Sequence, residues 1–351
     1  MHLSLSAPPS PFETRVRALR PDLADPVART AAWIRAVLGE VLLDLPLPGR
    51  GDTGERFAAL ADLGSVDLDL ARLAEAHLDA AAIRADLMDG ASGSDGPGGG
   101  SDGVGLWGVW AANPPVDPLL ARNDSGGWRL TGSKPWCSGA GCCDRALVTA
   151  RTDDGYRLFA VEQSRPGVVV VDGTWPASAM QGSDSRSVRY DDVPAVVAGE
   201  PEAYLRRAGF WHGAVGVAAV WWGGARGVAR ALAAADVRRP LHPHALAHAG
   251  AVDAALAAAA ALLDHAARAF DDDPEDKTGS ARLLAGRVRA AVERSAVEVV
   301  ERTGRALGAA PLALDAEHGR RVADLGLYLR QSHAERDLEE LGRASLGGEP
   351  R

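Results

Sequence analysis

The sequence predicts an α+β fold in three parts: an N-terminal helical domain, a middle β-barrel or β-sandwich domain and a C-terminal helical bundle. Three observations carry this. Apolar residues recur at helical spacing from about residue 10 to about residue 90, the pattern turns strand-like between about 104 and 200, and long alanine-rich helical patterns fill the remainder. The boundaries that follow are 1–100, 101–202 and 203–351.

In the first part, "TAAWIRAVLGEVLLDL" and "VDLDLARLAEAHLDAAAIRADLM" set Leu68, Leu70, Leu73, Leu78 and Ile83 at mixed helical spacings with charges between them. The run "DGASGSDGPGGGSDGVG", Asp89 to Gly105, ends that pattern. It has no G-K-[ST] ending and no apolar strand before it, so it reads as a connector and not as a phosphate loop.

Short β-rich runs follow, namely "VGLWGVWAAN", "GWRLTGSKPWCS", "RALVTART", "YRLFAVEQ", "GVVVVDG" and "SVRYDDVP", separated by Gly, Asp and Pro. In "DDGYRLFAV", Asp154-Gly155 is the expected hairpin turn. Beyond Ala203, Val252, Leu256, Leu263 and Phe270 form one helical stripe and Leu284, Val288, Val292 and Val299 another, with Glu298–Arg302 and Glu301–Arg305 as exposed pairs. A third helix is expected through "RRVADLGLYLRQSHAERDLEELG", stopped by Gly342. In "FWHGAVGVAAVWWGGARGVARAL", Trp221 and Trp222 read as core packing.

Composition narrows the function. With 46% apolar and 24% charged residues, a chain of 351 residues has the profile of a globular protein with a substantial core. A net charge of -9 with no concentrated basic surface argues against a nucleic-acid partner. No uninterrupted apolar run reaches membrane-spanning length, and "MHLSLSAPPSPFETRVRALRPDL" lacks the order of a secretory signal, so a cytoplasmic protein without a membrane span is expected. Cys137, Cys142 and Cys143 crowd one loop without zinc spacing and read as small residues of a packed turn. His242, His244 and His248 read as a helix start, and no metal site is expected.

The segment "LTGSKPWCS" is similar to the "L-x-G-x-K-x-W-[IV]-[ST]" segment of the acyl-CoA dehydrogenase superfamily. The strand "RALVTAR", then "PGVVVV", then "MQGSDSRSVRYDDVP" follow in the family's order. The chain therefore resembles a divergent member of that superfamily from about Asp67 to Gly342. The resemblance implies FAD, with Trp136 flanking the isoalloxazine, Ser138 supplying a hydroxyl near its N5 and the backbone of Cys137 also in contact. A flavin that accepts hydride needs such a partner and a wall that keeps water away. Lys134, one of two lysines in the chain, sits beside this site, either on its rim with an acidic partner or in solvent.

Two departures matter. Ala112-Asn113-Pro114 stands where the family has T-E-P, and Leu329 or Arg330 falls where its dehydrogenases carry the catalytic glutamate. Glu335 is then the candidate base, brought inward by a kink or register change. The resemblance implies oxidation of an acyl thioester or related small acyl substrate at its Cα–Cβ bond, an electron acceptor and a homo-oligomer built through the C-terminal helices. Two further readings stay open: a flavin monooxygenase of the same fold, which needs no such base, and a non-catalytic partner subunit.

Overall fold

The computed structural model describes residues 5–42, 45–88, 105–113 and 117–347. The glycine-rich run from Asp89 therefore lies outside the described residues except for Gly105, and so does Pro114. The described chain divides into two compact units.

The first unit is helical. It takes in α1 (Pro11–Ala18), α3 (Thr53–Val66), the first turn of α4 (Leu68–Leu87) and the chain from Trp211, which includes nearly all of α6 (Gly209–Arg238). The hairpin of α7 (Pro243–Asp272) and α8 (Ala281–Leu307) follows, then α9 (Ala310–Leu314), α10 (Ala316–Tyr328) and α11 (Glu335–Ser345). Helix starts obey local chemistry. Pro11 opens α1, and the Ser10 hydroxyl accepts the Glu13 N–H at 3.0 Å. His242 accepts the Ala245 N–H through Nδ1 at 3.2 Å, so its place is a helix cap, and no group of metal-ligating side chains occurs among the described residues.

The predicted stripes are buried except at one position, with Val252, Leu256, Leu263 and Phe270 on α7 and Val288, Val292 and Val299 on α8 in the core and Leu284 half-buried. Trp221 and Trp222 lie in the core, the latter donating to the Leu256 carbonyl at 2.9 Å. The helix expected to run to Gly342 is broken instead. A 3-10 turn, Leu329–Gln331, ends α10, and Ala334 takes φ 48° before α11, which carries Gly342 in its interior. By length and composition α7 is apolar enough to cross a membrane, although alanine supplies most of its apolar residues.

The second unit holds α2 (Pro26–Val37), which runs on into a π turn (Leu38–Leu42), α4 from Arg72 onward, the seven strands and α5 (Ala203–Arg206). The strands are β1 (Trp107–Trp110), β2 (Leu120–Asp124), β3 (Gly127–Cys137), β4 (Arg145–Thr152), β5 (Gly155–Glu162), β6 (Val168–Val171) and β7 (Arg186–Ala198). Pairing runs from β4 through β2, β3, β7 and β5 and back to β4, so the sheet closes into a small barrel. The β4–β5 hairpin forms with Thr152 opposite Gly155, which puts the turn at Asp153-Asp154, one residue earlier than expected. Ala80 and Ile83 of α4 pack with Trp107, Val109, Leu147 and Leu158 to form an apolar cluster on the barrel.

In the helical unit α3 and α6 approach until backbone meets backbone. A Cβ at Gly223 would lie 1.9 Å from the Ala61 carbonyl oxygen, a contact that no side-chain movement relieves. Gly223→Ala is accordingly expected to lower unfolding stability by roughly 1–3 kcal/mol or more, while Gly250→Ala, at an open position inside α7, raises it by about 0.5–1 kcal/mol. Urea denaturation of both variants checks this, and equal stabilities would contradict the close approach.

Candidate functional site

The site residues predicted from "KPWCS" lie at the end of β3, where the strand carries one residue more than its partner. Lys134 pairs with Val188 and Cys137 with Arg186, so three steps on β3 face two on β7. That is a β-bulge, and Pro135, which has no N–H to offer a ladder, stands inside it. In a regular strand Lys134 and Trp136 would share a face. The bulge breaks the alternation: Lys134 and Cys137 are both buried, and Trp136, held at φ 58°, is 60% exposed. A bulky residue in the left-handed region costs on the order of 1–3 kcal/mol and persists only where its surroundings enforce it.

Lys134 is neither on a rim nor in solvent, as the sequence had suggested. It is 1% exposed and its ammonium donates to Asn113 Oδ1 at 2.8 Å, the Thr149 carbonyl at 2.6 Å and Thr149 Oγ1 at 2.7 Å. Three donors meet three neutral acceptors. The Thr149 hydroxyl also contacts the Ala111 carbonyl at 3.1 Å and Asn113 Oδ1 at 2.9 Å, so the lysine ties the segment after β1 to β4. Burial without a carboxylate partner pulls its pKa from 10.5 down to about 7.

Ser138 follows the bulge and is 6% exposed. Its carbonyl accepts the Trp110 indole N–H at 2.9 Å, and its hydroxyl lies 3.3 Å from Arg72 Nε and 2.8 Å from Ser185 Oγ. Ser185 Oγ lies 2.8 Å from Ser183 Oγ, which donates to the Met180 carbonyl at 2.7 Å. The backbone holds these two segments together, since the Gly139 N–H donates to the Ser183 carbonyl at 2.7 Å and the Ala140 N–H to the Asp184 carbonyl at 3.2 Å. Gly139 takes φ 75°, and a Cβ there would sit 2.7 Å from Cys143 Sγ. Arg72 forms an ion pair with Glu75 one turn along α4, and both side chains are largely buried.

Cys137 is buried beside Lys134, its thiol 3.2 Å from the Lys134 carbonyl and its pKa pushed up by burial. Trp136, Cys137 and Ser138 thus stand together in the barrel unit. Glu335 belongs to the helical unit, where it is the exposed first residue of α11, and Leu329 and Tyr328 are buried there. Reading the sequence missed Arg72, Glu75, Ser183 and Ser185. The two serines fell within the family-like segment "MQGSDSRSVRYDDVP", and Arg72 and Glu75 within the helical run "VDLDLARLAEAHLDAAAIRADLM", where nothing marked them as site residues.

These features carry the acyl-CoA dehydrogenase-like fold. The family description "Acyl-CoA dehydrogenase, middle domain" matches residues 108–193, which span the barrel strands around the bulge. Among solved structures, dibenzothiophene monooxygenase (TdsC) from Paenibacillus sp. A11-2 is similar at a TM-score of 0.74 and 22% identity, with 97% of this chain and 95% of that one covered. Methanesulfinate monooxygenase MsuC from Pseudomonas fluorescens is similar at 0.74 and 21%, covering 97% and 98%. A glutaryl-CoA dehydrogenase from Mycobacterium smegmatis in complex with FADH2 is similar at 0.76 and 16%, covering 96% and 94%. A search of the curated proteins found no match.

The lysine gives a prediction with a definite sign. Below pH 7 both folded and unfolded chains hold the Lys134 proton, and folding bears the whole cost of burying the ammonium. Between about pH 7 and 10.5 the unfolded chain holds a proton that the folded chain has released, so this group raises stability as pH rises. Urea midpoints measured from pH 6.5 to about 9.5 should climb more steeply for the parent protein than for Lys134→Met, in which every other titrating group is retained. Parallel curves would show that Lys134 stays charged throughout.

Proposed function

We propose that the protein is a flavin-dependent monooxygenase acting on a small organic molecule. The bulge at Pro135–Trp136 carries this reading, because it spends backbone strain to hold an exposed indole beside a buried, hydrogen-bonded hydroxyl. A flat apolar face next to a polar atom suits a flat heterocycle with a nitrogen at its edge, so the residues present fit a flavin. When bound, a reduced flavin supplies two electrons to dioxygen, so that with two protons one oxygen atom enters the substrate and the other leaves as water. The part of this chain is to bind and shield. Trp136 covers a ring face and excludes water, Ser138 holds the polar edge, and the Arg72–Glu75 pair sets charge next to it without adding net charge.

The chain's own residues favour this over dehydrogenation. Oxidising an acyl thioester at Cα–Cβ requires a base at the α carbon. Where the resemblance puts that base stand Leu329, which is buried, and Arg330, which is exposed and paired with Glu293 at 3.2 Å; Glu335 is exposed. FAD is the flavin that the dehydrogenase resemblance implies. The monooxygenase reading favours FMN, since TdsC has been solved with FMN and indole together. A cytoplasmic homo-oligomer fits the same reading, since α7 leaves Leu246, Gly250, Ala254, Ala258 and Ala261 exposed along one side.

Two measurements test this. Bound flavin, whether FMN or FAD, should keep its oxidised spectrum when short-, medium- and long-chain acyl-CoA are added anaerobically, and Trp136→Ala and Ser138→Ala should each weaken flavin binding about tenfold. Bleaching by an acyl-CoA that disappears in Glu335→Gln would establish the dehydrogenase reading instead. In sedimentation velocity at micromolar concentration a dimer or tetramer is expected, and a monomer would contradict a subunit contact through the exposed side of α7.

A further inference from the structure

The turn that follows Ser138 carries two adjacent thiols, Cys142 and Cys143, that have no part in holding the flavin. Gly139 takes φ 75°, and its carbonyl accepts the N–H groups of both cysteines, at 3.0 and 2.9 Å. Both sulfurs converge on that glycine. A Cβ there would lie 2.7 Å from Cys143 Sγ and 3.5 Å from Cys142 Sγ, so a side chain would take the space they share. The sulfurs share a hydrogen bond in which the Cys143 thiol donates to the Cys142 sulfur. Cys142 is half-buried, whereas Cys143 is buried with its Sγ 4.0 Å from the Ser138 carbonyl. The shared hydrogen bond lowers the Cys142 pKa and raises that of Cys143; at Cys142 the Arg35 guanidinium acts with it, and burial and the Asp184 and Asp144 carboxylates act against it. The more nucleophilic thiol is thus the more accessible one, with a partner directly behind it. Cys137, the third thiol, is fully buried and faces the Lys134 carbonyl instead.

We propose that Cys142 and Cys143 are an oxidation site for hydrogen peroxide, which closes them as a vicinal disulfide and loosens the hold on Ser138. The effect on Ser138 rests on the flavin reading above; the sulfur chemistry does not. Hydrogen peroxide is the product when two electrons and two protons reach dioxygen with no substrate to take an oxygen atom. The Cys142 thiolate attacks one peroxide oxygen, the O–O bond breaks, and a sulfenic acid forms while the released hydroxide takes up a proton to give water. The Cys143 sulfur then attacks the Cys142 sulfur, the S–S bond forms, and the hydroxyl leaves with the Cys143 proton as a second water. Two thiols have lost two electrons and two protons, and one peroxide has become two waters. Neighbouring Cα atoms are about 3.8 Å apart, whereas disulfides usually span about 4.4–6.8 Å, so this bond is strained and readily reduced. It is a reversible mark. Closing the ring turns the peptide that carries the Cys143 N–H, one of the two donors on the Gly139 carbonyl, and Ser138 directly precedes Gly139.

The test uses the whole protein, freed of reductant and treated with a small excess of hydrogen peroxide. Thiols titrated with dithiobis(nitrobenzoate) in denaturant should fall from three to one. Iodoacetamide should then label Cys137 alone, and the peptide carrying Cys142 and Cys143 should lose two hydrogens that dithiothreitol restores. Cys143→Ser removes the resolving thiol, so Cys142 should stop at a sulfenic acid that dimedone traps. Cys142→Ser should leave Cys143 reduced at the same dose. In fluorescence titration the oxidised protein should bind FMN about two- to tenfold more weakly than the reduced one, with dithiothreitol restoring the affinity and Cys142→Ser insensitive to peroxide. Three free thiols after peroxide, or a Cys142 sulfinic acid beside a free Cys143 in the parent protein, would overturn the disulfide. A disulfide with unaltered FMN affinity would overturn its hold on Ser138. If neither form binds FMN, the flavin reading fails and the effect on Ser138 with it, while the peptide mass still decides the disulfide.

Discussion

One extra residue in β3 governs the candidate site. Without the bulge at Pro135–Trp136, strict alternation would send Lys134 and Trp136 to one face and turn Cys137 to the other. With it, the strand buries a lysine and a cysteine, presents an indole to solvent and delivers Ser138 just ahead of Gly139 and Ala140, whose N–H groups bond to the Ser183 and Asp184 carbonyls. The strain at Trp136 survives because both flanks are fixed. Lys134 is clamped by three acceptors before the bulge, and Ser138 is held through its side chain and its carbonyl after it.

The two flanks use different electrostatics. Lys134 has no carboxylate partner, and desolvation dominates its titration. On the other side Arg72 is matched by Glu75, so a full positive charge comes close to the Ser138 hydroxyl without leaving an uncompensated charge in the interior. Placing the charge behind the hydroxyl means that the cation acts through a fixed dipole. The barrel is the support for this, since a closed sheet leaves its ring strands little freedom to shift register.

The architecture was largely legible in the sequence, because β-branched runs punctuated by Gly, Asp and Pro mark strands and seven-residue stripes mark the α7–α8 pair. Strand β2 was not legible. In "LARND" only Ala121 is buried, and the segment forms a strand because β3 pairs with it along its whole length. The break before α11 was hidden for a related reason: Ser332 to Ala334 carries no Gly or Pro, and Ala334 adopts a positive φ that its residue type does not advertise. Within the site, Trp136, Cys137 and Ser138 were visible through a spacing that a family shares. The burial of Lys134 was not, since its partners are an asparagine and a threonine far along the chain. Arg72 and Glu75 are two of the charges between the leucines of a helical run, and only tertiary packing makes them a buried pair.

The central claim is that the end of β3 is a flavin seat, and the most direct measurement is a crystal structure of the protein grown with reduced FMN under anaerobic conditions. The account predicts an isoalloxazine against the Trp136 indole with N5 within about 3.2 Å of Ser138 Oγ, and the hydrogen-bonded serines in place behind it. An isoalloxazine bound elsewhere, or density for none at saturating FMN, would contradict it.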